Sequence, residues 1–459
     1  MTIETNAGAG APCARAAMPA QQRCWLAALL LLALALRLGW VLLIDPEPKL
    51  EGGDGPFYLH LGDQIARGRG LRYGEPVAVV GPVYPAYLAG MQMLLGPERV
   101  VVAARVGQSF IGVALATLLF ALGRCWKGPQ AGLMAAGLVA VDFRFIVESG
   151  SIYTESLLTT LLMFGLWLYV LSLERDRPLW WVLAGAVIGA AALTRGVVQL
   201  LPLALLMHLR VKRTGRRLWR AWGLLLAGFA LVVSPWMIRN WLIFGSPKIS
   251  HGGAAHFWMG ARSEGRSLRK DEMLTEIESL RIEDGGADRY SYFADAIGTI
   301  AADPLQFVQL RARRVMEAYL QPFGTVTVGV ALGNESVKSM FGKDRGHALS
   351  EVVALPASWP KMWMYMLHFG SIGLAAVYVL ARWPERREWG LYAIPILYFS
   401  SVYALLTIIP RYLFPIMPLY MLLAAGAVAD FRITTAMWRR AGVTEGSAGP
   451  AMPPGGRRT

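Results

Sequence analysis

The sequence predicts an all-α polytopic membrane protein of about ten transmembrane helices, and three observations lead there. Apolar runs of roughly 18 to 22 residues recur along the chain, each long enough for a helix to cross the hydrocarbon layer. Cations collect in alternate short connections, as the positive-inside bias requires of cytoplasmic loops. The acids and glycines collect in the other connections, where one long polar segment also lies.

The formal net charge of +14 would suggest a nucleic-acid partner in a soluble protein, so the position of the charges decides. Six cations and no acid fall between Arg210 and Arg220, in a connection between two apolar runs. That charge orients the chain in a membrane and excludes nucleic acid as a partner, because no basic stripe interleaved with aromatics occurs in a polar segment. Cys13, Cys24 and Cys125 are too few and too badly placed for a disulfide framework.

Residues 1–23 are rich in Ala, Gly and Gln and are expected to form a disordered cytoplasmic tail. The run 24–44 continues to full spanning length, so it is an uncleaved anchor, and Arg37 within it is a packing or snorkelling residue. A first outer loop, 45–98, follows. It carries Asp45, Glu47, Glu51, Asp54, Asp63 and Glu75, and two stretches in it, 58–66 and 81–88, suit short helices lying along the bilayer surface. Further spans are expected at 100–122, 131–147, 154–173, 180–193, 196–209 and 222–244, the last interrupted at Pro235. Together 24–244 form an N-terminal catalytic module. Residues 245–360 form an extracytoplasmic segment with one amphipathic helix at 290–319. Spans at 364–380, 389–409 and 412–429 complete a C-terminal unit, 361–430, and 431–459 is expected to be a second disordered cytoplasmic tail.

Asp54 is the leading candidate for chemistry. It stands between Gly53 and Gly55 at a membrane edge, where partial desolvation raises a carboxylate's basicity, although a solvated loop acid has the same local sequence. Glu51 is a weaker alternative nearby. Glu155 opens an apolar run, where it serves either a polar cavity or the helix dipole, with Ser151 or Thr154 as the cap. Asp142 and Glu148 read as structural partners of Arg144. Arg195 and Arg411 sit at outer ends of spans, against the positive-inside bias, and a phosphate at the membrane surface gives them a reason to be there; the alternative is snorkelling onto headgroups. Arg239, beside Asn240, belongs to the same group.

His251 and His256 stand five apart without a nearby Cys, a poor metal signature, while Trp258 in the same glycine-rich turn suits the border of a sugar or lipid site. The sequence contains no phosphate-binding Gly-Lys loop, no dinucleotide fingerprint and no Gly-x-Ser-x-Gly elbow. An enzyme of this kind takes an activated substrate from the lipid.

Gly53-Asp54 with Tyr58, Pro82-Val83-Tyr84-Pro85, Tyr153-Thr154-Glu155, Thr194-Arg195, Pro235-Trp236 with Arg239-Asn240, the 253–260 turn and Pro410-Arg411-Tyr412 occur in one order along the chain. That order resembles the GT-C glycosyltransferases, in particular the bacterial protein mannosyltransferase and lipid A aminoarabinose transferase group. The resemblance implies an inner-membrane enzyme with an extracytoplasmic active site, a polyprenyl-phosphate-linked sugar as donor, and inversion at the anomeric carbon. It places Asp54 as the catalytic acid of the first outer loop and Glu155 as the second acid. Arg195, Arg411, Tyr412, Tyr84 and Arg239 are then expected near the donor phosphate, and Glu51, Tyr58, His251 and Trp258 near the sugar or acceptor. Gly55-Pro56 stands where some relatives carry a second acid, which puts a divalent metal ion in doubt. The acceptor, whether a glycan, a lipid or a protein, is left open. A lipid or oligosaccharide transporter, or a non-catalytic partner of a glycan assembly complex, is the alternative; a transporter would place its acids near the bilayer midplane.

Overall fold

The computed structural model describes residues 18–48, 50, 54–250, 252–262, 289–332 and 355–445. Glu51 and His251 lie outside them. Among the described residues the chain is helical apart from a two-residue antiparallel pair, Arg72–Tyr73 with Glu75–Pro76. Six helices among the described residues are long and apolar enough to cross a membrane, which makes the chain a multi-pass membrane protein.

Helix α1 (Ala20–Gly39) ends in a π-helical turn, Trp40–Ile44, which delivers the chain to the first loop. Arg37 is a packing residue as expected. It is fully buried, donates to the carbonyls of Ala33, Val139 and Ala140, and lies against Gly112, where a side chain would collide with it. Helices form at both positions where surface helices are expected, α2 (Gly55–Ala66) and α3 (Val83–Leu95), and both are too short to cross. They pack on each other, with Gly62 facing Leu88 and Gln92 donating to Asp63 at 2.8 Å.

Next come α4 (Val100–Lys127), α5 (Pro129–Val141), the short α6 (Phe143–Glu148), α7 (Glu155–Arg175) and α8 (Pro178–Thr194). A 3-10 turn at Gly196–Leu200 leads into α9 (Leu201–Lys212). Helix α10 (Gly215–Phe244) is continuous, so Pro235 does not interrupt it. Helices α8 and α10 approach backbone to backbone because Gly185 faces the Leu225 carbonyl and Gly228 the Val182 carbonyl; a methyl group at either would displace the other helix.

Helix α11 (Gly253–Arg262) follows. The single helix expected at 290–319 is two: α12 (Arg289–Ala302) and α13 (Pro304–Leu320). Pro304 cannot donate to the preceding turn, and the Asp303 carboxylate caps the new helix through the Gln306 amide at 2.9 Å. After α14 (Thr325–Ala331) come α15 (Ser358–Ala381), α16 (Arg386–Leu405), a 3-10 turn Pro410–Ile416 and α17 (Met417–Glu445), which runs past the boundary at 430 expected for the last span. The main core draws on α4, α5, α7, α8, α9, α10, α16 and α17, and the 3-10 turn Pro410–Ile416 packs directly on α7.

Candidate active site

Four charged groups from four separate connections converge at one end of the bundle. Asp54 immediately precedes α2 and does not cap it; its Oδ2 accepts from Arg411 Nη2 at 2.6 Å. Arg411 lies in the 3-10 turn before α17, and its Nε stands 3.2 Å from Glu155 Oε1, an ion pair by distance without a well-aligned hydrogen bond. Arg195, the residue after α8, donates from Nη1 to the same Glu155 oxygen at 2.5 Å. The second Glu155 oxygen accepts from the Thr154 hydroxyl at 3.2 Å, so Thr154 serves the carboxylate and leaves the helix uncapped. Each guanidinium is held by an acid that it neutralises in turn.

The two acids differ in access. The Glu155 side chain is 1% exposed and that of Asp54 37%. Glu155 is buried under both arginines, and Asp54 is the end of the chain of charges that solvent or substrate reaches.

Aromatic rings wall the cluster. Arg195 stacks over Tyr412 at 4.2 Å and lies 6.0 Å from Tyr403, while Arg411 lies 4.5 Å from the Tyr153 ring and 5.8 Å from Tyr412. Tyr403 and Tyr412 stack on each other at 4.9 Å. Tyr58 from α2 meets Tyr84 edge-on at 5.2 Å, and burial pushes its hydroxyl well above the usual phenol range. His256 from α11 stands edge-on to Tyr412, with ring centroids 6.4 Å apart. Burial, helped by the charge of Arg195, lowers it to about 4, so it is a neutral imidazole at the wall.

Helix α4 fixes the floor. Gln108 accepts from the Tyr84 hydroxyl at 3.0 Å and donates to the carbonyls of Ser149 and Ser151. Arg105 donates to Gly150 and Pro46, pairs with the Asp45 carboxylate at 2.8 Å and also bonds the Asp45 carbonyl. These two residues tie the first loop to the turn before α7, and hence Asp54 to Glu155. Glu148, at the end of α6, is fully buried beside this turn. Neither of its oxygens has a well-formed hydrogen bond, although the Ser156 amide and Ser151 hydroxyl lie close, and burial with the nearby Glu155 charge pushes its carboxyl well above the usual range.

Of the residues selected from sequence, Asp54, Glu155, Arg195, Arg411, Tyr412 and Tyr58 come together, with Tyr84 one ring behind. Arg239 goes elsewhere. It stacks on Trp236 at 4.6 Å and donates to Val77 and Leu71, clipping the first loop to α10. Trp258 is buried between α11 and α12, where its Nε1 donates to Asp295 at 2.5 Å. Asp142 does pair with Arg144, at 2.6 Å, but Glu148 does not share that cation, whose remaining reach goes to His368. Tyr153, Tyr403, His256 and Glu148 join the site without having been selected. The signal for the first was its place beside Glu155; nothing local marks Tyr403.

A divalent cation does not fit this donor set. The oxygens of Asp54 and Glu155 face guanidiniums, and among the described residues no group of three His, Cys, Asp or Glu is placed to hold a metal.

Residues 79–239, from the end of the first loop to α10, match the model of the dolichyl-phosphate-mannose-protein mannosyltransferase family. No curated protein matches the chain. Among solved structures the fold resembles the archaeal oligosaccharyltransferase AglB from Archaeoglobus fulgidus, in complex with an inhibitory peptide and a dolichol-phosphate: the TM-score is 0.53 at 17% identity, over 95% of this chain and 52% of that one. The A. fulgidus oligosaccharyltransferase tethered with an acceptor peptide containing the NVT sequon gives 0.53 at 14% identity, over 94% and 52%. This chain thus spans about half the length of those proteins. ArnT from Cupriavidus metallidurans bound to undecaprenyl phosphate aligns more loosely, with a TM-score of 0.41 at 16% identity over 89% and 78%. The family match is thus confined to residues 79–239, and the wider likeness, over nearly the whole of this chain, is one of fold.

Proposed function

We propose that this protein is an inverting glycosyltransferase that moves a sugar from a polyprenyl-phosphate donor to an acceptor hydroxyl or similar nucleophile at the extracytoplasmic face of a bacterial inner membrane. The observation that carries the reading is the convergence of Arg195 and Arg411 on one oxygen of buried Glu155, with exposed Asp54 at the open end. Helices lie at each of the ten positions expected to span, and a crossing at each leaves both termini cytoplasmic, with the 210–220 cations inside and the acidic cluster outside. The 245–360 segment, whose α11 helps wall the cluster, is then the part that selects the acceptor.

Without substrate the site is balanced by its own charges. A donor phosphodiester competes with Asp54 for Arg411 and with Glu155 for the outer edge of Arg195. Taking Arg411 away removes that cation from the Asp54 carboxylate, and raises its basicity, at the moment a base is required. The acceptor hydroxyl gives its proton to an Asp54 oxygen while its own oxygen forms the new bond to C1 of the sugar. The C1–oxygen bond to phosphate breaks on the opposite face, and its electron pair stays on the phosphate, whose added charge Arg195 and Arg411 meet. No general acid is required, because a prenyl phosphate is already a good leaving group. Glu155 does not exchange protons in this scheme; it holds both cations in place.

The test is mass spectrometry of total prenyl-phosphate lipids from cells lacking the protein, complemented with wild type or with Asp54→Asn. A sugar-bearing prenyl phosphate that accumulates in the deletion and in the variant, and clears with wild type, is the expected result. Clearance by Asp54→Asn would overturn the role of this base, and no accumulation in the deletion would overturn the transferase reading.

A further inference from the structure

Helices α7 and α8 carry a second charged site at their other ends. Glu155 opens α7 and Asp176 follows its last residue; Arg195 follows α8 and Pro178 opens it. With 21 residues, α7 is about 30 Å long, close to the thickness of the hydrocarbon layer. The turn between the two helices therefore lies at the membrane surface opposite the acid–guanidinium cluster, whichever way the chain is inserted.

At that turn a cavity of about 260 Å³ opens between the α7–α8 connection and the first turns of α10. Trp181, Ala221 and Leu224 give it an apolar floor, and Arg217 and Arg220 project from α10 at its rim. Neither arginine has an ion-pair or hydrogen-bond partner among the described residues. Asp176 also lines the cavity, but Arg213, at 3.4 Å, offsets its charge. Beside the rim, Trp219 is 58% exposed and packs edge-on to Trp222 at 5.8 Å, the position and residue type of a membrane-interface anchor. Further along α10, Leu231 and Ile238 are exposed, so this helix faces lipid.

Two unpartnered guanidiniums over an apolar floor, at the level of the headgroups, match a phosphodiester whose acyl chains continue down a lipid-facing helix. We propose that this cavity binds the headgroup of an anionic phospholipid, in the leaflet opposite the acid–guanidinium cluster. The bound lipid joins the α7–α8 turn to α10 and so steadies the two helices whose far ends hold Glu155 and Arg195. Soluble phosphate shares the charge but lacks the chains, and the lipid-facing surface of α10 favours the lipid.

The experiment uses the full chain in nanodiscs of phosphatidylcholine with or without phosphatidylglycerol, with retained lipid counted by native mass spectrometry and thermal midpoints measured beside it. Wild type should retain phosphatidylglycerol in preference to phosphatidylcholine and melt higher with it. Arg217→Gln with Arg220→Gln should weaken that preference roughly twentyfold, at about fivefold per cation. Arg210→Gln with Arg216→Gln removes the same charge from residues that do not line the cavity and should keep the preference. If the double variant at the rim does not fold, Arg220→Gln alone should show about a fivefold loss. Equal losses in the two double variants, an unchanged preference in the rim variant, or the same stabilisation from inorganic phosphate alone would each overturn the proposal.

Discussion

Arg411 reaches Asp54 across 357 residues of sequence, placing Nη2 2.6 Å from the carboxylate, while its Nε stands 3.2 Å from Glu155. One planar cation thus touches both acids, and the geometry needs two nitrogens held in a fixed fork.

Arg411→Lys should therefore fail despite keeping the charge. An ammonium is a point charge and cannot face Asp54 and Glu155 together. In a vesicle assay with a synthetic prenyl-phosphate sugar, the donor KM should rise about tenfold or more, from the loss of one charge-assisted contact. A Lys variant with the wild-type KM would show that the fork is not used.

Asp54 and Glu155 should separate into different defects. Asp54→Asn should lower kcat by about two to four orders of magnitude, the range for a general base, with little change in thermal midpoint, because its side chain is 37% exposed. Glu155→Gln leaves two guanidiniums facing a neutral group in a buried site, and it should cost about 3 kcal/mol of stability. Equal melting of the two variants would contradict the division of roles.

Glu148→Gln should stabilise the protein at neutral pH. Glutamate at 148 is pushed above its ordinary value of 4.5, so the unfolded chain ionises there more readily than the folded one, and stability is lost as pH rises past that value. Glutamine removes the loss. The thermal midpoint of the variant should exceed wild type at pH 7 and converge on it towards pH 4; a lower midpoint at pH 7 would mean that the carboxylate is wanted in its charged form.

Protonating His256 should destabilise the fold in acid. Its value falls from 6.5 to about 4 on folding, so between those limits the unfolded chain binds the extra proton. Stability present above pH 6.5 is then lost as pH falls towards 4, by up to about 3 kcal/mol. His256→Gln should flatten that part of the stability profile, and an unchanged slope would assign it to other groups.

Two glycines in α10 should behave oppositely. Gly228→Ala drives a methyl group into the Val182 carbonyl and should cost about 1 to 3 kcal/mol or prevent folding, whereas Gly223, with nothing nearby, should accept Ala with no loss or a gain of up to about 1 kcal/mol. Similar midpoints would mean that α8 and α10 do not meet as closely as described.

The sequence made the helices legible because a bilayer demands long apolar runs, and it made Asp54, Glu155, Arg195 and Arg411 legible because charges at span ends are costly without a reason. It did not show that both arginines meet one oxygen of Glu155, since they lie 40 and 256 positions away and only packing sets that meeting. Glu148 sits four residues from Arg144 and read as its partner, but the capping Asp142 takes that cation first. Arg239 and Trp258 carry suitable chemistry in suitable motifs and spend it on Leu71, Val77 and Asp295. Residue type marked these candidates, and direction, which a linear pattern lacks, separated them.

The long reach from Asp54 to Arg411 also sets when, during synthesis, the charged cluster can be assembled. At about 5 to 20 residues per second of synthesis, Asp54 emerges roughly 20 to 70 seconds before the arginine that holds it. Throughout that interval the membrane contains the acids and most of the bundle without the cation that joins the first loop to the last turn. A chain stalled before Arg411 can insert most of its helices and still lack the cation that joins Asp54 to Glu155.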